Sequence, residues 1–340
     1  MAERIILHIG APKTGTTFLQ EVLFGNRDRL RAAGVLVPGR SRFDHGLAAG
    51  GVRQGPHGRR HANWRQIVRA AHEWSGTVII SNEWFSRAGA RQAERAVQEL
   101  GIANTHVVFT ARDFVEQIPA AWQETLKIGE SCSLDDFLQS LDRERGRWRW
   151  SVLDPAVALK RWRGDLPVEQ VHVVTVPSRG SDPDLLWRRF AQLCGVDPVV
   201  CDTRPDRVRE SLSAESASLL QLLGPSLREA IAADDNHWTE TYRWLQRYLS
   251  HQLLVPMTGS RIRLRPEQVT ELRDRSWVTV QALTTARYDV VGDLAELTSA
   301  EPPPGARHPD DITDRERLDV AMHLVADLLR DVREASHRAE

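Results

Sequence analysis

The stretch from Ile5 to Gln20, IILHIGAPKTGTTFLQ, constrains this chain more than any other. An apolar run stops at Gly10, a turn of Gly, Thr and one Lys follows, and a helical pattern resumes through Phe18, Leu19 and Val22. A strand, a glycine-bounded turn and a helix in that order leave backbone N–H groups at a helix N-terminus, where an anion binds. Gly10 and Gly15 have the separation of a Walker A loop. The lysine, however, is Lys13, inside the loop, and Thr16 stands where an ATPase has its lysine. The spacing predicts a phosphate cradle of backbone N–H groups around Gly15 at the helix N-terminus, helped by the hydroxyls of Thr14, Thr16 and Thr17, with Lys13 beside the phosphate. Phosphate is implied; a magnesium partner is not.

Three further apolar, β-branched runs join RIILHIG as expected strands: GTVIIS, THVVFTAR and QVHVVTVP. Each is nearly continuous, the pattern of strands covered on both faces. Helical patterns such as TTFLQEVLFGNRDRLRAAG and ARQAERAVQELG separate them and end at glycines. Strands alternating with helices predict an α/β fold with a three-layer parallel sheet. GRSRFDHGLAAGGVRQGPHGRRHANW lacks periodicity and reads as a mobile excursion over the sheet's C-terminal edge. From about Ser213 helical patterns dominate, with a Pro-rich linker, SAEPPPGARHPDD, between the last two. The expected organisation is a nucleotide-binding core over 1–212 and a helical extension over 213–340 packed on it.

With a net charge of -1 over 340 residues, there is no overall footprint for nucleic acid. Three scattered cysteines make neither a disulfide framework nor a thiolate metal site. No apolar run approaches the roughly 20 residues needed to span a bilayer. The N-terminus turns polar soon after Ile9, which argues against a signal peptide. A soluble cytoplasmic protein is expected.

Pro12 to Thr17, PKTGTT, resembles the 5'-phosphosulfate loop of the sulfotransferase family. The chemistry agrees with the resemblance. A transferring sulfonate carries one negative charge where a phosphoryl group carries nearly two, so a divalent cation is less needed. One ammonium suffices for the charge growing on the departing oxygen. In the family, an arginine after the third core strand and a serine eight residues on hold the donor's 3'-phosphate. Arg112 falls on the first position and Ala120 on the second, which removes one hydroxyl donor. SNEWFS (81–86), VTVPSRGSDPDLLWRRFAQLCGV, RVRESLSAE and YDVVGDLAEL resemble segments of bacterial members, with Arg209 in place of a usual asparagine. The resemblance implies a P-loop fold and a bacterial-type sulfotransferase. Its donor is 3'-phosphoadenosine 5'-phosphosulfate (PAPS), its acceptor a small molecule or carbohydrate, and no metal takes part.

The resemblance places Lys13 on the leaving group and Glu83 in the role of general base; His45, whose ordinary pKa suits that task, is the alternative. His8, inside the first strand, reads as a core or cleft-wall residue. Among the 11 tryptophans, Trp84 and Trp122 flank the proposed cleft and read as stacking surfaces for an acceptor ring, Trp187 and Trp244 as core. RERGRWRWSVLDPAVALKRWRG mixes Arg and Trp. It reads as amphipathic helix, or as a cleft flank favouring an anionic acceptor, ahead of a nucleic-acid surface. Two other functions remain open: a non-catalytic binder of adenosine 3',5'-bisphosphate, and a nucleotide kinase. The oligomeric state is not legible.

Overall fold

The computed structural model describes residues 2–143, 145–203, 211–231 and 237–339. Six strands form one sheet: β1 (Arg4–His8), β2 (Val35–Leu36), β3 (Thr77–Ser81), β4 (Thr105–Ala111), β5 (Val171–Thr175) and β6 (Asp289–Val291). Every pairing is parallel, in the order β2-β3-β1-β4-β5-β6. The four apolar runs are the four longest strands. β2 and β6, at the two edges, have two and three residues, too short to produce a run.

Successive residues of each strand enter different cores, because side chains alternate across a sheet. Ile5 and Leu7 belong to one apolar cluster with Val78, Ile80, Val107 and Phe109. Ile6, Ile79 and Val108 belong to a second, with Leu19, Val22 and Phe190. Burying each such side chain is worth about 1.5–3 kcal/mol, so a sheet covered on both faces needs no polar alternation. The fold is α/β, with helices over both faces.

The strand order also locates the ligand crevice. The chain leaves β1 toward β2 on one side and leaves β4 toward β5 on the other. Adjacent strands whose connections depart in opposite directions open a crevice beyond their carboxyl ends. Here that crevice lies past His8 and Ala111.

The Gly-rich segment after β2 is a correction. Arg42–Gln54 and His61–Glu73 are both helices. The carboxylate of Asp44 accepts from the backbone N–H groups of Arg40 and Ser41 and starts the first of them. Its glycines serve close helix–helix packing, which erased the apolar period: a Cβ on Gly51 would lie 2.4 Å from the carbonyl oxygen of Arg60.

The chain divides into two compact units. The first is Met1–Gln117, Leu141–Arg207 and Leu272–Ala300, and it holds the whole sheet. The second is Ile118–Ser140, Val208–Glu271 and Glu301–Glu340. They interleave along the sequence rather than dividing at 212, since β6 and most of Pro266–Ala286 belong with the sheet. The second unit is helical. Ser213 Oγ caps Ala214–Ile231 by accepting the Ser216 N–H, and a π-helix runs from Thr241 to Leu254. Trp187 is enclosed as expected; Trp244 instead is 44% exposed on that π-helix. Among the described residues, no helix is long and apolar enough to cross a membrane.

Candidate active site

The loop after β1 continues the ladder to β4 before it turns away. Ile9 N–H donates to Val108 and Ala11 N–H to Thr110, while Thr110 N–H donates to the Gly10 carbonyl. Positive φ at Gly10 (121°), Lys13 (66°) and Gly15 (80°) then bends the chain into the helix Thr16–Gly25. That helix has no side-chain cap and no carboxylate in its first turn, so its own first turn leaves the positive N-terminal field uncompensated. Two loop carbonyls are drawn away from the helix end. Gln117 Nε2 donates to the Pro12 oxygen at 2.9 Å, and Arg112 Nη1 to the Lys13 oxygen at 3.3 Å. Both partners follow β4. Gly15 and Thr17 are half-buried, Thr16 buried.

Beneath the loop runs a buried polar chain. Ser81 Oγ is 2.8 Å from His8 Nδ1, and His8 Nε2 is 3.2 Å from Thr110 Oγ1. Thr110 Oγ1 is 2.6 Å from Thr14 Oγ1, which donates to the Ala11 carbonyl at 2.5 Å. Each hydroxyl has one proton to give. One satisfied arrangement runs Ser81 to His8 Nδ1, His8 Nε2–H to Thr110, Thr110 to Thr14 and Thr14 to Ala11; the Thr110 hydroxyl also lies 3.1 Å from a second acceptor, the Gly10 carbonyl. Burial pushes His8 down to about 3, so it stays neutral. His8 is a structural residue of the crevice floor. Thr14, expected to offer its hydroxyl to phosphate, turns it inward.

Glu83 opens the 3-10 turn Glu83–Arg87 that follows β3, and its backbone packs directly on Gly10. Its Oε2 accepts from Gln20 Nε2 at 2.9 Å. Gln20 lies one turn beyond Thr16 on the loop's own helix, so loop and carboxylate are tied together. Gln20 was not singled out from sequence; its i, i+4 spacing from Thr16 was the available signal.

His45 is enclosed, and both ring nitrogens are engaged. Its Nδ1 accepts the Ser81 N–H at 3.1 Å, and its Nε2 is 2.8 Å from the Pro38 carbonyl. Burial lowers it to about 4, against smaller opposing effects of its backbone partners. This corrects its reading as a base: it is a strut holding Arg42–Gln54 to the end of β3. Trp122 is also corrected. It is 0% exposed, in the second unit, and donates its indole N–H to the Cys132 carbonyl. Trp84 does stand beside Glu83, but Arg147 Cζ lies 4.2 Å from its ring centroid and Trp148 packs edge-on. Its ring holds a guanidinium. Ala120 is half-buried in the portion of Phe114–Leu126 that belongs to the second unit, and Arg209 lies outside the described residues.

Arg112, at the end of β4, is paired with a carboxylate, as a surface arginine often is. The partner is Glu116. Arg112 Nε and Nη2 donate to Glu116 Oε2 at 3.1 and 3.0 Å, and Arg179 donates to Oε1. Burial raises Glu116, yet the two guanidiniums outweigh it and hold the carboxyl below its usual range. Asp113 is committed to the backbone N–H groups of Val115 and Ala300. Arg179, in the PSRG turn after β5, was not singled out from sequence.

Three adjacent strands thus deliver Lys13 (β1), Glu83 (β3) and Arg112 (β4) to one crevice. Comparison with family models, with curated proteins and with solved structures returns no match.

Proposed function

We propose that the chain is a P-loop enzyme that transfers a sulfonate from PAPS to a hydroxyl or amine of a small-molecule or carbohydrate acceptor. The observation that carries this reading is the contact of one lysine-bearing loop with both a carboxylate turn and an arginine strand end. The residues present fit the donor. An uncapped helix N-terminus with Lys13 suits the 5'-phosphate, and Arg112 with Arg179 suits the 3'-phosphate through planar guanidinium forks. The donor, when bound, supplies the sulfonate and a phosphate leaving group. Glu83, oriented by Gln20, takes the proton from the attacking hydroxyl or amine. Lys13 and the loop amides hold the negative charge that grows on the leaving oxygen. Glu116 must release Arg112 for a second phosphate to bind.

That last requirement supports a second reading, in which the chain binds adenosine 3',5'-bisphosphate without turnover. Calorimetry with the bisphosphate in metal-free buffer tests binding, and its release from PAPS with a panel of sugars, phenols and amines tests transfer. Binding with release marks the enzyme, and binding without release marks the second reading. Failure to bind, or tighter binding of ATP with magnesium, overturns both.

A further inference from the structure

The last helix, Asp314–Ala339, docks one face within the second unit. Leu324 is buried, Arg317 Nε donates to Ser218 Oγ at 2.9 Å, and Asp331 accepts from the Tyr248 hydroxyl at 2.7 Å. These three recur every seven residues, so one stripe of the helix faces Ala214–Ile231 and the π-helix. A second stripe is left uncovered. Leu318, Met322, Val325, Leu329 and Val332 are 56–68% exposed. At 3.6 residues per turn they fall within about 80° of the circumference, centred about 120° from the docked stripe.

Single apolar residues on a surface need no account, but a contiguous apolar stripe marks an interaction site. The alternating steps of four and three residues are those of a and d positions in a coiled coil. A stripe of a and d alone is narrower than the face a helix buries in a globular core, and it fits one other helix.

The charges beside the stripe select that helix. Asp314 and Arg317, Asp327 and Arg330, and Glu334 and Arg338 are ion pairs within the helix. Asp319 and Arg333, both exposed, form no ion pair among the described residues. They border the stripe on the same side, seven residues before and seven after Ala326. A two-fold axis across the helix between Val325 and Ala326 sets each Asp319 beside the partner's Arg333. The same axis lays Leu318 on the partner's Val332, Met322 on the partner's Leu329, and Val325 on its own copy. The stripe is self-complementary in both shape and charge, as a two-fold interface must be.

We propose that this stripe is the interface of a homodimer in which the last helices of two copies pair antiparallel. Docking on the second unit already holds the helix in shape, so pairing carries little ordering cost. The seam is about 21 Å long and one helix wide, smaller than the roughly 800 Å² per partner of a standard interface. The dimer is therefore a reversible one.

The test is sedimentation equilibrium of the full chain over a wide range of concentration. The apparent mass should rise from 38.4 kDa toward twice that value. Val325→Asp places two carboxylates against each other at the axis and should weaken association about a hundredfold or more. Val325 is 63% exposed in the single chain, so the dilute variant should melt as the wild type does. Asp319→Arg sets like charges together at two places and should weaken association about tenfold. Combining it with Arg333→Asp reverses both pairs and should restore the wild-type constant, a rescue specific to two antiparallel copies of this helix. A monomer at every concentration, a dimer indifferent to Val325→Asp, or a double variant as weak as Asp319→Arg overturns the proposal. Flotation of a monomeric chain with phosphatidylserine vesicles, abolished by Val325→Asp, overturns it in favour of a helix that lies on a membrane.

Discussion

Gly10 lies so close to the backbone of Glu83 that a Cβ on it would sit 2.9 Å from the Glu83 carbonyl oxygen and 3.1 Å from its Cα. Its φ of 121° is also closed to residues with a side chain. One glycine therefore sets both the turn of the loop and the distance to the carboxylate. Gly10→Ala should destabilise the protein by roughly 2–6 kcal/mol, backbone strain and overpacking together. Bisphosphate affinity should fall with it. Denaturant unfolding near wild-type stability would mean the turn is not packed as described.

Glu116 gives a prediction of opposite sign for binding and for stability. Its carboxylate holds Arg112 and Arg179, the guanidiniums that the proposed reading gives to the 3'-phosphate. Glu116→Gln should tighten adenosine 3',5'-bisphosphate, by about tenfold for one hydrogen bond to a charged group made available. The folded protein holds Glu116 below its ordinary pKa. The unfolded chain therefore binds the proton first, and the stabilisation is present above about pH 4.5 and lost as pH falls through the lowered value. Glu116→Gln should lack that part of the acid sensitivity. Unchanged affinity measured by calorimetry would remove Arg112 from the donor site.

The buried histidines act in a higher pH window. His45 titrates at about 4 and His8 at about 3 in the fold, against an unfolded value of about 6.5. Below pH 6.5 the unfolded chain takes up protons that the folded chain refuses, so stability falls from 6.5 down to the folded values. For His45 the gap is on the order of 3 kcal/mol. His45→Gln should flatten the curve of unfolding free energy against pH between about 4 and 6.5, whatever it does at neutral pH. A slope identical to wild type would mean that His45 is not enclosed as a neutral ring.

The long strands were legible because a sheet buried on both faces writes itself as unbroken apolar runs, and the loop because glycine spacing and one lysine are local features. The helix Arg42–Gln54 was not, since its glycines at 46, 50 and 51 trade apolar period for close packing. β2 and β6 are too short to carry a period. At the site, chemistry was readable by residue type and misread by burial. Trp122 and His45 have the right groups for an acceptor ring and a base. Only the fold reveals that neither presents them. Gln20, Gln117 and Arg179 act through contacts 63 to 105 residues away in sequence, which no local pattern encodes.

Glu83 and Lys13 differ in kind, and their variants should separate. On the proposed mechanism Lys13→Ala removes charge stabilisation at the leaving group, so it should lower turnover by about 10²–10³, with a smaller loss of donor affinity. Glu83→Gln keeps the shape and its contact with Gln20 but removes the proposed base. Turnover should fall by about 10²–10⁴ while calorimetric affinity for the bisphosphate hardly moves. Gln20→Leu leaves the carboxylate in place and loses only its orientation, so it should fall between Glu83→Gln and wild type. His45→Asn supplies the contrast. Its ring nitrogens meet only backbone groups, so any loss should track a lowered melting temperature and should be regained at lower assay temperature. Measuring all four variants with one acceptor at two temperatures decides the assignment. Full activity in Glu83→Gln, or a dead but fully folded His45→Asn, would return the base to His45 and require the strand end at Ser81 to open.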